Sequence, residues 1–139
     1  MLYRNYNLMQ QKSNIVTAFN NHFADFVNDI CTVFPNDVDL ISAKNTFVMI
    51  RKANPRMTLA IWEKYVNNKY SKEIEKGDIS FFLSKNYMVD LTNSSNPKKI
   101  VEAIDRLRTP ILSMSHTNQQ KIMKYMQNLS KISQLYTEL

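Results

Sequence analysis

Two histidines, one cysteine and two close pairs of carboxylates are the groups in this chain whose types could do chemistry. Histidine titrates near neutrality, so His22 and His116 are the candidate proton-transfer groups. Each stands alone. No H-x-x-x-H, H-E-x-x-H or Cys/His cluster supplies the ligands a metal needs, and no metal site or cofactor is expected. Cys31 lies between Ile30 and Thr32 in a helical apolar pattern, where a thiol behaves as a small hydrophobe. A Cys–His nucleophile dyad would have to be assembled by the fold, since nothing in the spacing prepares it. The pairs Asp37/Asp39 and Glu73/Glu75 could do acid–base work if one member were buried. Asp37 and Asp39 instead open a predicted helix and complement its dipole. Glu73 and Glu75 are flanked by Lys72 and Lys76, the pattern of a solvated face. An Asp-x-Asp with no further acid or glycine is no calcium loop. The expectation is a non-enzymatic protein with no catalytic residues.

Composition narrows the classes further. The chain has 139 residues, 44% of them apolar, and one residue of glycine and one of cysteine. That length suits a single domain over 1–139, with 1–91 as core helices and 97–139 as a C-terminal pair. One cysteine excludes an internal disulfide framework. One glycine, Gly77, excludes the Gly-rich phosphate loops and dinucleotide fingerprints, which need several residues able to take φ > 0. Scarce glycine and the absence of two-residue hairpin signals also argue against an all-β fold. No window approaches 18 uninterrupted apolar residues, so no membrane partner is expected. Residues 1–5 lack the apolar core of a secretory signal, which points to an intracellular location. Sixteen asparagines and 13 lysines against 6 alanines suggest AT-rich coding DNA, as in a viral or parasite genome.

Charge is unevenly spread. The formal net charge is +6, and residues 41–76 carry 8 basic against 3 acidic groups. Lys44, Arg51, Lys52, Arg56, Lys64, Lys69, Lys72 and Lys76 make up that concentration, with Lys98, Lys99, Arg106 and Arg108 as a second group. Cations meeting on one surface would bind nucleic-acid phosphates, so Lys44, Arg51, Lys52, Arg56, Lys64, Lys69 and Lys72 are the candidate contacts. The alternative is a solvated face on a lysine-rich chain. Arginine, which favours bidentate contacts, is outnumbered 13 to 5.

The elements that must position these groups are helices. Leu8, Ile15, Val16, Phe19, Phe23, Phe26, Val27, Ile30 and Phe34 recur in steps of three and four, predicting a helix over 7–34 that Pro35 ends. Asn36-Asp37 offers a cap for a second helix over 38–52, whose broad apolar face holds Leu40, Ile41, Ala43, Phe47, Val48 and Ile50. Pro55 suits the first turn of a third helix, carrying Leu59, Ile61, Trp62, Tyr65 and Val66 and continuing to Gly77, a left-handed cap. Asp78 restarts a short helix over 79–84. Residues 87–96 read as a loop, with Asn96 and Pro97 opening the next helix. Pro110 either kinks that helix or separates two. Thr117 and Gln120 form a capping-box pattern for a last helix through Ile122, Met126, Leu129, Ile132 and Tyr136. The fold expected is an all-α, single-domain bundle of five to six helices with a C-terminal helical hairpin. Met123 and Tyr125 lie off the main stripe of the last helix. Met123, Tyr125, Met126 and Tyr136 are therefore candidates for a protein interface or self-association, unless the helix is buried on two sides within the chain. No small-molecule substrate is expected.

The run Ile50-Arg51-Lys52-Ala53-Asn54-Pro55-Arg56, then Trp62 and Glu75-Lys76-Gly77-Asp78 before Phe81-Phe82, resembles uncharacterised small helical proteins of large nucleocytoplasmic DNA viruses. Arg106-Leu107-Arg108-Thr109-Pro110-Ile111, and Asn128-Leu129 before Tyr136, extend the resemblance over most of the chain. It implies a virus-encoded protein of the host cytoplasm or nucleus, associated with infection or with the virion. It supplies no activity and no site residues.

Overall fold

Apolar residues repeating every three and four positions demand helices, which alone put such positions on one face. The computed structural model of the chain describes residues 2–86 and 97–139, without the side chains at 2, 97, 99–104 and 107. The loop predicted at 87–96 and the Asn96 cap lie outside these described residues. In chain order the elements are α1 (Leu2–Val33), α2 (Val38–Ala53), α3 (Met57–Trp62), a π turn (Glu63–Asn67), α4 (Asn68–Lys76), α5 (Ile79–Ser84), α6 (Pro97–Leu112) and α7 (His116–Thr137). The fold is all-α. Because α3, the π turn and α4 follow one another directly, with a kink at Tyr70, they count as one helix and the described chain forms six.

Helix ends follow from individual residues. Pro35 stands just beyond α1, and Asp37 caps α2 by accepting the amides of Asp39 and Leu40 at 3.0 and 3.2 Å. Gly77 ends α4 in the left-handed region, at φ 73° and ψ 23°. Asp78 at once caps α5, accepting the amide of Ser80 at 3.0 Å. Several ends differ from expectation: α1 starts at Leu2 rather than at residue 7, and α3 starts at Met57, leaving Pro55 ahead of its first turn. Ser115, not Thr117, caps α7, because its hydroxyl accepts the Asn118 amide at 3.2 Å and places Thr117 inside the first turn. Pro110 does not split α6. α6 runs through it and stops two residues later, where the amides of Ser113 and Met114 bond back to Pro110 and Ile111.

Two buried clusters hold the bundle. One gathers Val16, Phe19, Leu59 and Leu129, with Phe19 and Leu129 fully buried. The larger gathers Ile30, Leu40, Tyr70, Ile74, Ile79, Phe82, Ile111, Met114, Ile122 and Met123. Phe26 packs against both. Each fully buried Leu, Ile or Phe contributes roughly 1.5–3 kcal/mol by leaving water. Chain direction brings α7 back antiparallel along α1, so that Lys12 lies over the Tyr136 ring and His22 against Tyr125. The other side of α7 takes the third helix. In regular α geometry, residues five apart point about 140° from each other. The wider π turn reduces that divergence, and Trp62 and Asn67 both reach α7. Trp62 Nε1 donates to Ser130 Oγ at 3.0 Å, and Asn67 Nδ2 to Gln134 Oε1 at 3.2 Å. Buried Ser130 and Ser133 keep α7 slim where the helices meet.

Candidate functional site

The groups able to do chemistry stay apart. His22 and Cys31 lie nine positions apart on α1, about 13 Å along a helix axis. Cys31 Sγ donates to the Leu40 carbonyl at 3.8 Å, and His116 is exposed as the first residue of α7. His22 packs on Tyr125 with ring centres 5.0 Å apart, and its Nε2 is buried without a hydrogen-bond partner. Tyr125 donates its hydroxyl proton to Asp29. That bond, with burial and the charges of Asp29 and Asp25, pushes the tyrosine pKa up to about 12. Asp37 is spent on a helix cap. So is Asp78, whose bonds from Ser80 hold its carboxyl below the usual range. Among the described residues no three His, Cys, Asp or Glu side chains could hold a metal together. No helix there is long and apolar enough to cross a membrane.

Of the four residues expected at an interface on α7, Met123 is buried, while Tyr125, Met126 and Tyr136 are half-buried against the bundle. Met123 is 2% exposed and belongs to the larger cluster, beneath Gly77 of α4. Met126 packs on the same cluster. Tyr125 meets Phe26 and His22 of α1. Tyr136 packs on the smaller cluster with Lys12 over its ring, 5.5 Å from the centroid. The physical reason is placement: α7 lies between α1 and the helix running from Met57 to Lys76, so it needs apolar surface on two sides. Most of the apolar surface of α7 packs within the chain, with Leu135 left exposed.

The basic candidates divide. Lys44, Arg51 and Lys52 line one shallow recess of about 410 Å³ between α2 and α1. Arg51 Nη2 donates to Asn21 Oδ1 at 2.6 Å, tying the recess to α1. Arg56 is exposed ahead of α3, Lys64 stands over the Tyr65 ring on the π turn, and Lys69 and Lys72 are exposed on α4. None of these four lines the recess. In the second basic group, Lys98 and Arg106 are exposed. Arg108 is structural, donating to the carbonyls of Leu83 and Lys85 and pairing with Asp105. The side chain of Lys99 falls outside the described residues.

A set of exposed apolar residues lies on the outer side of α2. Leu40 and Phe47 are buried on one side. Val38 (77% exposed), Ile41, Val48 and Met49 (71% exposed) stand in solvent. At 100° per residue these four fall within about 100° of arc, opposite Leu40 and Phe47. Lys52 falls inside the same arc and Lys44 beside it. A smaller exposed set, Tyr3, Tyr6 and Met9, occupies the turns of α1 that run past the end of α7. No protein-family model, curated protein or solved structure matches this chain.

Proposed function

We propose that the chain is a non-enzymatic interaction protein that self-associates through the outer stripe of α2. One observation carries this reading: α2 is apolar on both sides, and only one side is covered. Val38, Ile41, Val48 and Met49 share one exposed side of α2, with Asn45 between the two pairs, and apolar side chains grouped on one face in this way are of the kind that marks contact sites. Lysines at its border supply a polar rim. Sedimentation equilibrium tests it directly. The expected result is a mass that rises with concentration and collapses to the monomer in a Val38→Lys, Met49→Lys double variant. A wild-type mass that stays monomeric at high concentration sinks the reading.

A second reading, nucleic-acid binding, is favoured by the convergence of Lys44, Arg51 and Lys52 on one recess. Three neutralised phosphates on duplex DNA give a log–log salt slope of roughly −2.7, at about −0.9 for each. Replacing the three by glutamine would then weaken binding alike for all sequences. A low-salt gel shift with no retained DNA or RNA ends this reading. The resemblance to viral helical proteins adds that the chain is virus-encoded and carried in the virion or the infected cell. Mass spectrometry of purified particles is the corresponding test.

A further inference from the structure

We propose that the inner side of α2 forms a binding site for a long-chain carboxylate. The evidence is a cavity of about 520 Å³ between α1, α2, α3 and the second half of α6. Small-molecule sites run from roughly 300 to 1,000 Å³ and are mostly apolar, with a few polar groups that fix orientation. This cavity has that character. Its floor is Phe23, Phe26, Ile30, Leu40, Phe47 and Ile111, four of them buried, with the Phe23 and Phe47 rings 4.8 Å apart. Among the described residues, the hydrophilic lining ones are Asp39, Ser42, Thr46, Thr58 and Arg106, and all but the half-buried Thr58 are exposed.

Polarity therefore changes from floor to mouth. An ordered water needs two to four polar partners, which the floor does not provide. A uniformly polar ligand would lose its hydration there without replacement. An amphiphile, with a tail on the floor and one polar end at the mouth, meets both conditions.

Charge selects the polar end. Arg106 is the one cation among the described lining residues, is exposed, and makes no hydrogen bond or ion pair with any described residue. Asp39, the one carboxylate of that lining, already lies in the first turn of α2, where the helix dipole favours it. Among the described residues, the charge left for a ligand is thus the guanidinium, whose planar fork suits a carboxylate. The site is independent of the outer stripe, on the opposite side of the same helix.

Isothermal titration with dodecanoate, below its micelle concentration, tests the proposal against dodecanol and dodecyltrimethylammonium. Expected is saturable binding of one dodecanoate per chain, with dodecanol roughly tenfold weaker, the loss for one charge-assisted contact. Arg106→Gln should bring dodecanoate down to the dodecanol level and leave dodecanol unchanged. Ala43→Trp, which fills the cavity from an exposed lining position, should abolish binding of both while circular dichroism stays helical. The proposal is overturned by dodecanoate that never saturates, by equal affinity for the alcohol, or by tighter binding of the ammonium. It is equally overturned if correctly folded Ala43→Trp binds as wild type does.

Discussion

At the scale of single residues, Gly77 and Tyr125 show how much depends on one atom. Gly77 sits at φ 73°, and an added Cβ would come within 3.2 Å of Gln127 Nε2. Left-handed geometry costs an L residue roughly 1–2 kcal/mol. Gly77→Ala should therefore lower unfolding free energy by about that amount in urea titrations, with helix content kept. Tyr125 offers a pH signature. Its pKa is raised to about 12 by the bond to Asp29, while an unfolded tyrosine ionises near 10. The native state thus holds a proton that the unfolded chain has lost, and the stabilisation is complete below pH 10 and vanishes as pH rises towards 12. His22 lies against the Tyr125 ring, and the Asp29 and Asp25 carboxylates are the charges that raise its pKa. Stability curves of wild type and Tyr125→Phe should differ below pH 10 and converge by about pH 12. Curves that stay parallel over that range would refute the account. Gly77 was legible as a cap because conformational limits are local. The Tyr125–Asp29 bond was not, since 96 positions separate its partners.

At the scale of elements, α2 and α7 differ in how much of their apolar surface the bundle covers. Both are apolar over more than one face. α7 lies between α1 and the long third helix, so both its faces are used, whereas α2 lies at the edge of the bundle and keeps one face in water. Two contrasting substitutions test this. Leu40→Ala, on the covered side, should cost about 2–5 kcal/mol, as deletion of a buried leucine does. Val38→Lys, on the outer side, should change monomer stability by no more than about 0.5 kcal/mol. Equal losses would mean that both sides are covered. The π turn makes a separate claim. Asn67 is buried and donates to Glu63 and Gln134. Asn67→Ala leaves acceptors unpaired and should cost roughly 1–3 kcal/mol. Hydrogen exchange should then accelerate between Glu63 and Tyr70, where Tyr70 already leaves helical geometry at φ −125° and ψ 16°.

At the scale of the whole molecule, two buried clusters share one aromatic, Phe26, and the cavity opens beside it on the α2 side. Phe19, fully buried beneath Trp62 and Phe23, anchors the smaller cluster. Phe19→Ala should remove about 3–5 kcal/mol from a total that for a domain of this kind is only about 5–15 kcal/mol. Thermal denaturation should show a markedly earlier transition. Unchanged melting would mean the cluster is not a core. What the amino-acid sequence determined alone was the helical class, most of the helix ends and the isolation of His22, Cys31 and His116 along the chain. Steric limits on backbone angles and the three-to-four spacing act within a few residues, so they can be read there. Which apolar face is covered, and which cations meet, was decided only by tertiary structure. A side chain's pattern declares that it avoids water, but the surface that comes to cover it arrives from a distant part of the chain. Lys44, Arg51 and Lys52 share a recess because α2 lies along α1; Lys64 and Lys69, equally basic in sequence, lie on a helix that takes another course.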